Sequence, residues 1–192
     1  MRLPNAAHAA QPWMIHDMAD DFTLQDVWAL RTPGGPGDLP LLVRTFTSWQ
    51  PGPAVRTLLA VRLRIGGLLG LDDPGSGVGA RVPSLRDRVP ADLRDGPSGP
   101  GFGAFTCVYQ TEQEWAAELA NRTVHAVMHI GWVPDGAGGY RGQTAVLAKP
   151  NALPGKAYMA GIKPFRRLLV EPALVRAVER RWQARETAVG EP

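Results

Sequence analysis

The sequence predicts an α+β fold in which a curved antiparallel sheet packs around a long, proline-kinked C-terminal helix. Three observations carry this. Several short β-like runs lie between Phe102 and Pro150. A glycine-rich turn, Pro134-Asp-Gly-Ala-Gly-Gly139, joins two of them and suits the positive φ that hairpins need. One long apolar stretch then runs from Gly155 to Trp182. A sheet closed by a helix in this way can enclose a cavity.

Taken in order, Pro12 to Met18 reads as a first strand. Thr23-Leu-Gln-Asp26 has the form of a capping box with Asp in place of Glu, and predicts a short helix to about Leu30. Thr32-Pro-Gly-Gly-Pro-Gly37 stops it. Asp38 can cap a second helix, Leu39 to Trp49, with Pro40 in its first turn. Ala54 to Leu71 carries Leu58, Val61, Ile65, Leu68 and Leu69 at helical spacing and predicts a third. Residues 72–103 are rich in Pro, Gly, Asp and Arg and read as a long loop or lid, with a helical turn around Ser84 to Leu93.

The sheet follows, with Phe105 to Gln110 as one strand. Thr111 to Ala120 reads as a helix by its Ala and Glu content, or as a strand by the alternation of Trp115, Ala117 and Leu119. The strand, with a turn at Asn121-Arg122, is the simpler topology. Val124 to Val133 and Tyr140 to Pro150 are the last two strands. In the closing helix, Tyr158, Ile162, Phe165 and Leu169 form one stripe, continued by Leu174, Val178 and Trp182 after a change of phase. Pro164 and Pro172 each remove an N–H, which predicts bends near Ala160 and Leu168.

At 192 residues the chain fits one domain, 1–192, with a real core. The apolar share is 44%, the charged share 20% and the net charge +3, all ordinary for a globular protein. The basic residues are scattered, and the pairs Arg166-Arg167 and Arg180-Arg181 read as solvated helix faces, so no nucleic-acid partner is expected. The single cysteine, Cys107, excludes a disulfide framework and reads as a buried structural thiol. No apolar leader stands at the N-terminus. The longest apolar run, Leu58 to Leu71, is too short and too charged to span a bilayer. A cytoplasmic protein without a membrane span is the expectation.

Asn121-Arg-Thr-Val-His125, Gly131-Trp-Val133, Tyr140-Arg-Gly-Gln143, Lys149-Pro-Asn151 and the Ile162-Lys-Pro-Phe165 core of the closing helix together resemble a bacterial family, domain-of-unknown-function family 2867. Pro12-Trp13 with Ile15-His16, Asp26 to Leu30, and Arg81 to Pro90 extend the resemblance over most of the chain. Relatives often read Pro-Phe-His where this chain has Pro164-Phe165-Arg166, so no role for that histidine carries over. Related segments fused behind short-chain-dehydrogenase-like domains are similar to the START-like, SRPBCC or helix-grip superfamily. The resemblance therefore implies a helix-grip fold and an apolar ligand cavity, and no particular reaction.

His125 and His129 are the sharpest polar feature. Four residues apart on a strand, they share a face but stand about 13 Å from one another, too far to ligate one metal, and no third ligand is in register. No metal and no cofactor is expected. The opposite face, with Ala126, Met128, Ile130 and Trp132, is the more apolar, so the histidines are expected to face solvent or a polar rim. If their face lined the cavity, His125 or His129 would be the acid–base candidate; Tyr109, one of the aromatics that can converge on the cavity mouth, is a further candidate proton carrier. Glu114 and Glu118, alternating on one strand, read as a solvated face. Gly75 to Ala80 matches a loose nucleotide pattern without its strand and helix, and reads as a flexible loop.

Trp132, Tyr140 and Tyr158 can converge on the mouth of a cavity, with Ile162 and Phe165 at depth. The sequence thus points to a protein that binds a small hydrophobic or amphipathic molecule between sheet and C-terminal helix. The alternative is an enzyme of cyclase, dehydratase or isomerase type, acting on a polyketide-like or other apolar metabolite in the same cavity.

Overall fold

A computed structural model describes residues 1–53, 55–57, 60, 64, 77–80, 82–96, 99–151 and 166–189. Its centre is a curved, six-stranded antiparallel sheet: β1 (Arg2–Leu3), β2 (Thr23–Ala29), β3 (Thr106–Gln110), β4 (Glu114–Ala120), β5 (Val124–Pro134) and β6 (Tyr140–Pro150). The spatial order is β1-β2-β6-β5-β4-β3. Consecutive strands β3 to β6 form a meander, and β2 lies against the last strand of it. The described helices include α1 (Ala6–Ala9), α2 (Ile15–Met18), α3 (Leu39–Thr47), α4 (Ala91–Arg94) and α5 (Glu171–Val189). A π turn at Arg166–Val170 leads into α5.

The strands from β3 onward lie where the alternation placed them, and Thr111 to Ala120 resolves as the strand β4. The β4–β5 turn is fixed by Asn121, whose Oδ1 accepts from the N–H groups of Thr123 and Val124 and from the Thr123 hydroxyl. In the β5–β6 hairpin, Gly136 and Gly138 take φ values of 83° and 92°, and Asp135 Oδ1 accepts from the N–H groups of Ala137 and Gly139. These are the conformations that the glycine-rich turn predicted.

The first two elements are the reverse of the reading from sequence. Pro12 to Met18 contains a helix, α2, and not a strand. Ile15, Met18 and Ala19 are buried at i, i+3 and i+4, a helical spacing that the short run obscured. Thr23 to Ala29 is the strand β2, and not a capped helix. A bulge between Leu24 and Asp26 breaks its alternation, and pairing with β6 overrides the local capping signal. The buried Asp26 lies 3.5 Å from Arg2 Nε.

Both faces of the sheet are covered. On one, α3 and α5 pack Leu39, Leu42, Val43 and Phe46 with Leu174, Val178 and Trp182 against Trp115, Ile130 and Trp132. The α3 residues recur at i, i+3, i+4 and i+7, a single helical face. On the other lie Trp13, Ile15 and Met18 from the N-terminal segment and Leu85 and Val89 from a 3₁₀ turn, against Val108, Tyr109, Val127 and Val133. The docked turn belongs to the stretch read as a loop or lid. Cys107 is buried, and burial raises its thiol pKa. Most of the predicted helix from Ala54 to Leu71, Gly75 and Ser76 of the pattern that ends at Ala80, and the closing helix before Arg166 lie outside the described residues. Pro172 is the second residue of α5, directly after the π turn.

Candidate functional site

Strand β5 separates two chemically different faces. His125, Val127, His129, Gly131 and Val133 point toward the N-terminal segment, and Ala126, Met128, Ile130 and Trp132 toward α3 and α5. The β4–β5 register sets Glu114 opposite Gly131 and Glu118 opposite Val127. Each glutamate is therefore diagonal to a histidine two residues along, close enough for side chains to meet. The result is two parallel pairs. His129 Nε2 is 3.0 Å from Glu114, and His125 Nε2 is 2.8 Å from Glu118.

The expectation of a solvated or rim position for these residues fails. His125 and His129 are buried, as are Glu114 and Glu118. The N-terminal segment and the 3₁₀ turn cover them, a long-range packing that strand periodicity cannot show. Buried carboxylates need donors, and they have them. Glu114 also accepts from the Tyr109 hydroxyl at 2.7 Å and from the Met14 N–H at 2.8 Å. Glu118 also accepts from the Ser84 hydroxyl and the Leu85 N–H.

Burial pushes both glutamates upward in pKa, but the bonds from His129, Tyr109 and Met14 to one, and from His125, Ser84 and Leu85 to the other, hold both below the usual value. For His129, burial wins over the attraction of Glu114 and lowers its pKa. Burial, then the Glu114 charge, raises that of Tyr109.

A second histidine extends the first pair. His8 Nε2 lies 3.1 Å from His129 Nδ1, and both rings are wholly buried. One proton assignment satisfies nearly every atom. Glu114 is the anion, His129 donates from Nε2 and accepts at Nδ1, and His8 donates from Nε2. That leaves His8 Nδ1 bare, a buried nitrogen without a partner among the described residues. His8 is pushed down to about 3, by burial first and then by His129 and His16. Among the described residues, no three His, Cys, Asp or Glu side chains come together as a metal-ligand set.

Sequence reasoning named His125, His129 and Tyr109. The structure joins His129 and Tyr109 through Glu114 and sets His125 in the separate pair. It missed His8, Glu114 and Glu118 as partners. The four-residue spacing shared by the glutamates and the histidines, folded about the Asn121 turn, is the signal that could have found the glutamates. Nothing local pointed to His8.

The helix-side face holds the other candidate. A cavity of about 20 Å³, room for a water-sized probe, lies where the first turns of α5 meet the sheet. Trp28, Met128, Thr144, Leu174, Val175 and Glu171 line it. The Trp28 indole N–H donates to Glu171 at 2.7 Å. An adjoining cleft of about 240 Å³ shares Trp28 and Val175 and adds Arg31, Pro172, Arg176 and Glu179. Trp132 and Tyr140 stack at 6.4 Å, about two turns further along α5, where Trp132 also meets Trp182 and donates to the Gly35 carbonyl. Tyr158, Ile162 and Phe165 lie outside the described residues. Among the described residues, no helix is long and apolar enough to cross a membrane.

A family model described as "Protein of unknown function (DUF2867)" matches residues 18–173. No curated protein and no solved structure matches the chain.

Proposed function

The chain belongs to the DUF2867 family, and from that premise we propose that it binds a small hydrophobic or amphipathic molecule between the sheet and its C-terminal helix, as a START-like, helix-grip domain. The observation that carries this reading is the apolar cavity under α5, which shares Trp28 and Val175 as lining residues with the larger cleft. Placement of β2 beside β6, with the long helix after β6, suits a helix-grip arrangement.

Ligand pockets usually span about 300–1,000 Å³, so the occupant is small or the seat widens around it. In this reading Tyr158, Ile162 and Phe165 are further ligand contacts. Trp132 and Tyr140 close the far end. Glu171, buried beside an otherwise apolar lining, orients the polar end of an amphipathic ligand.

The alternative is a cyclase, dehydratase or isomerase using the same cavity. His125, His129 and Tyr109 lie across the sheet from it, so the proton carrier there would be Glu171. Native mass spectrometry of the purified protein tests binding. We expect an adduct that dissociates as a small molecule. No adduct, together with no uptake from a panel of fatty acids, sterols and aromatic polyketides, overturns the proposal. Turnover of a bound compound that Glu171→Gln abolishes without loss of uptake would establish the enzyme.

A further inference from the structure

Residues 4–22 leave the sheet at β1 and rejoin it at β2, so the segment is tethered at both ends. Between the tethers it lies over the face that carries Glu114 and His129. It buries Trp13, Ile15 and Met18 against the sheet, and a set of specific contacts surrounds the histidines. Trp13 packs on Gly131, where a Cβ would stand 2.1 Å from the indole. The Trp13 ring lies 4.7 Å from both His8 and His129. Met14 N–H holds Glu114, and Gln143 Nε2 donates to the Ala7 carbonyl. His8 closes the set on His129.

We propose that this segment is a latch, seated while His8 and His129 are neutral and released when they take up protons. The groups facing the pair are His16 from α2, Glu114 from β4 and, beyond it, Tyr109 from β3. One added proton can be absorbed. It would make His129 a cation against Glu114, but His8 must then turn its bare nitrogen toward His129 and bury an unpartnered N–H. A second proton cannot, because both rings would present N–H groups to each other across 3.1 Å. Among the described residues, no carboxylate bonds to His8 to compensate. Exposure of the segment relieves the conflict, so opening is coupled to proton uptake.

With His8 at about 3 when closed and about 6.5 when open, opening should increase roughly thirtyfold between about pH 7.5 and about pH 5. Hydrogen–deuterium exchange, corrected for the intrinsic pH dependence, reads this directly. The expected result is a rise confined to residues 5–18, with β5 and β6 still protected. In His8→Gln the amide can still donate to His129 Nδ1 but cannot titrate, so the rise should lose the roughly thirtyfold share of His8. Exchange at 5–18 that ignores pH, a rise shared equally by the whole sheet, or a full rise retained in His8→Gln each overturns the latch. If His8→Gln does not fold, titration of the His8 ring in the native protein by NMR decides. A midpoint near 6.5 with the segment still protected contradicts the proposal.

Discussion

Glu114 is the residue on which the polar face turns. It is buried with three donors of different origin: a sheet histidine, a sheet tyrosine and a backbone N–H from the N-terminal segment. A hydrogen bond to a charged group contributes about 1.5–3 kcal/mol. Tyr109→Phe should therefore lower stability by about that much in urea unfolding. A loss under about 0.5 kcal/mol would mean that the hydroxyl does not hold the carboxylate. The chemistry of this site was half legible. Residue types and spacings named His125, His129 and Tyr109, but the exposure of the two histidines was misread, because what buries them comes from the N-terminal segment and the 3₁₀ turn, both distant in sequence. His8 is the extreme case: nothing beside it in the sequence marks it as a partner of His129.

At the scale of elements, α3 was readable because it buries one face and keeps a clean helical period, and β3 to β6 because turn residues at Asn121 and from Pro134 to Gly139 punctuate β-like runs. The β2 strand was not, since a bulge disturbs its alternation and its ladder partner is β6. Trp132 is the predicted ligand contact with the most structural work of its own. In the fold it is buried between Tyr140 and Trp182, with its indole N–H bonded to Gly35. Trp132→Ala should then destabilise the protein by about 3–5 kcal/mol, measured by thermal or urea unfolding. If stability held and only ligand uptake fell, Trp132 would line the seat instead of supporting it.

For the whole molecule, the titrating groups of the polar face act in one direction. His8 and His129 bind fewer protons folded than unfolded, so their contribution is complete above about pH 6.5 and is lost as pH falls, for His8 toward about 3. Glu114 and Glu118, both held below the ordinary value of 4.5, add a further loss as pH falls through and below it. The urea midpoint should therefore fall steadily between about pH 7.5 and about pH 4, and less steeply in His8→Gln. A flat profile would mean that the histidines are not buried neutral. The two sides of the sheet thus divide the molecule: a titrating, latched face and an apolar, helix-covered face where binding is assigned. The most direct test of that assignment is an NMR titration with a short-chain fatty acid, run on the native protein and on Val175→Trp, which fills the cleft. The account expects shifts at Trp28, Met128, Thr144 and Leu174 that the substitution abolishes while the fold persists. Shifts confined to the histidine face, or unchanged in Val175→Trp, would contradict it.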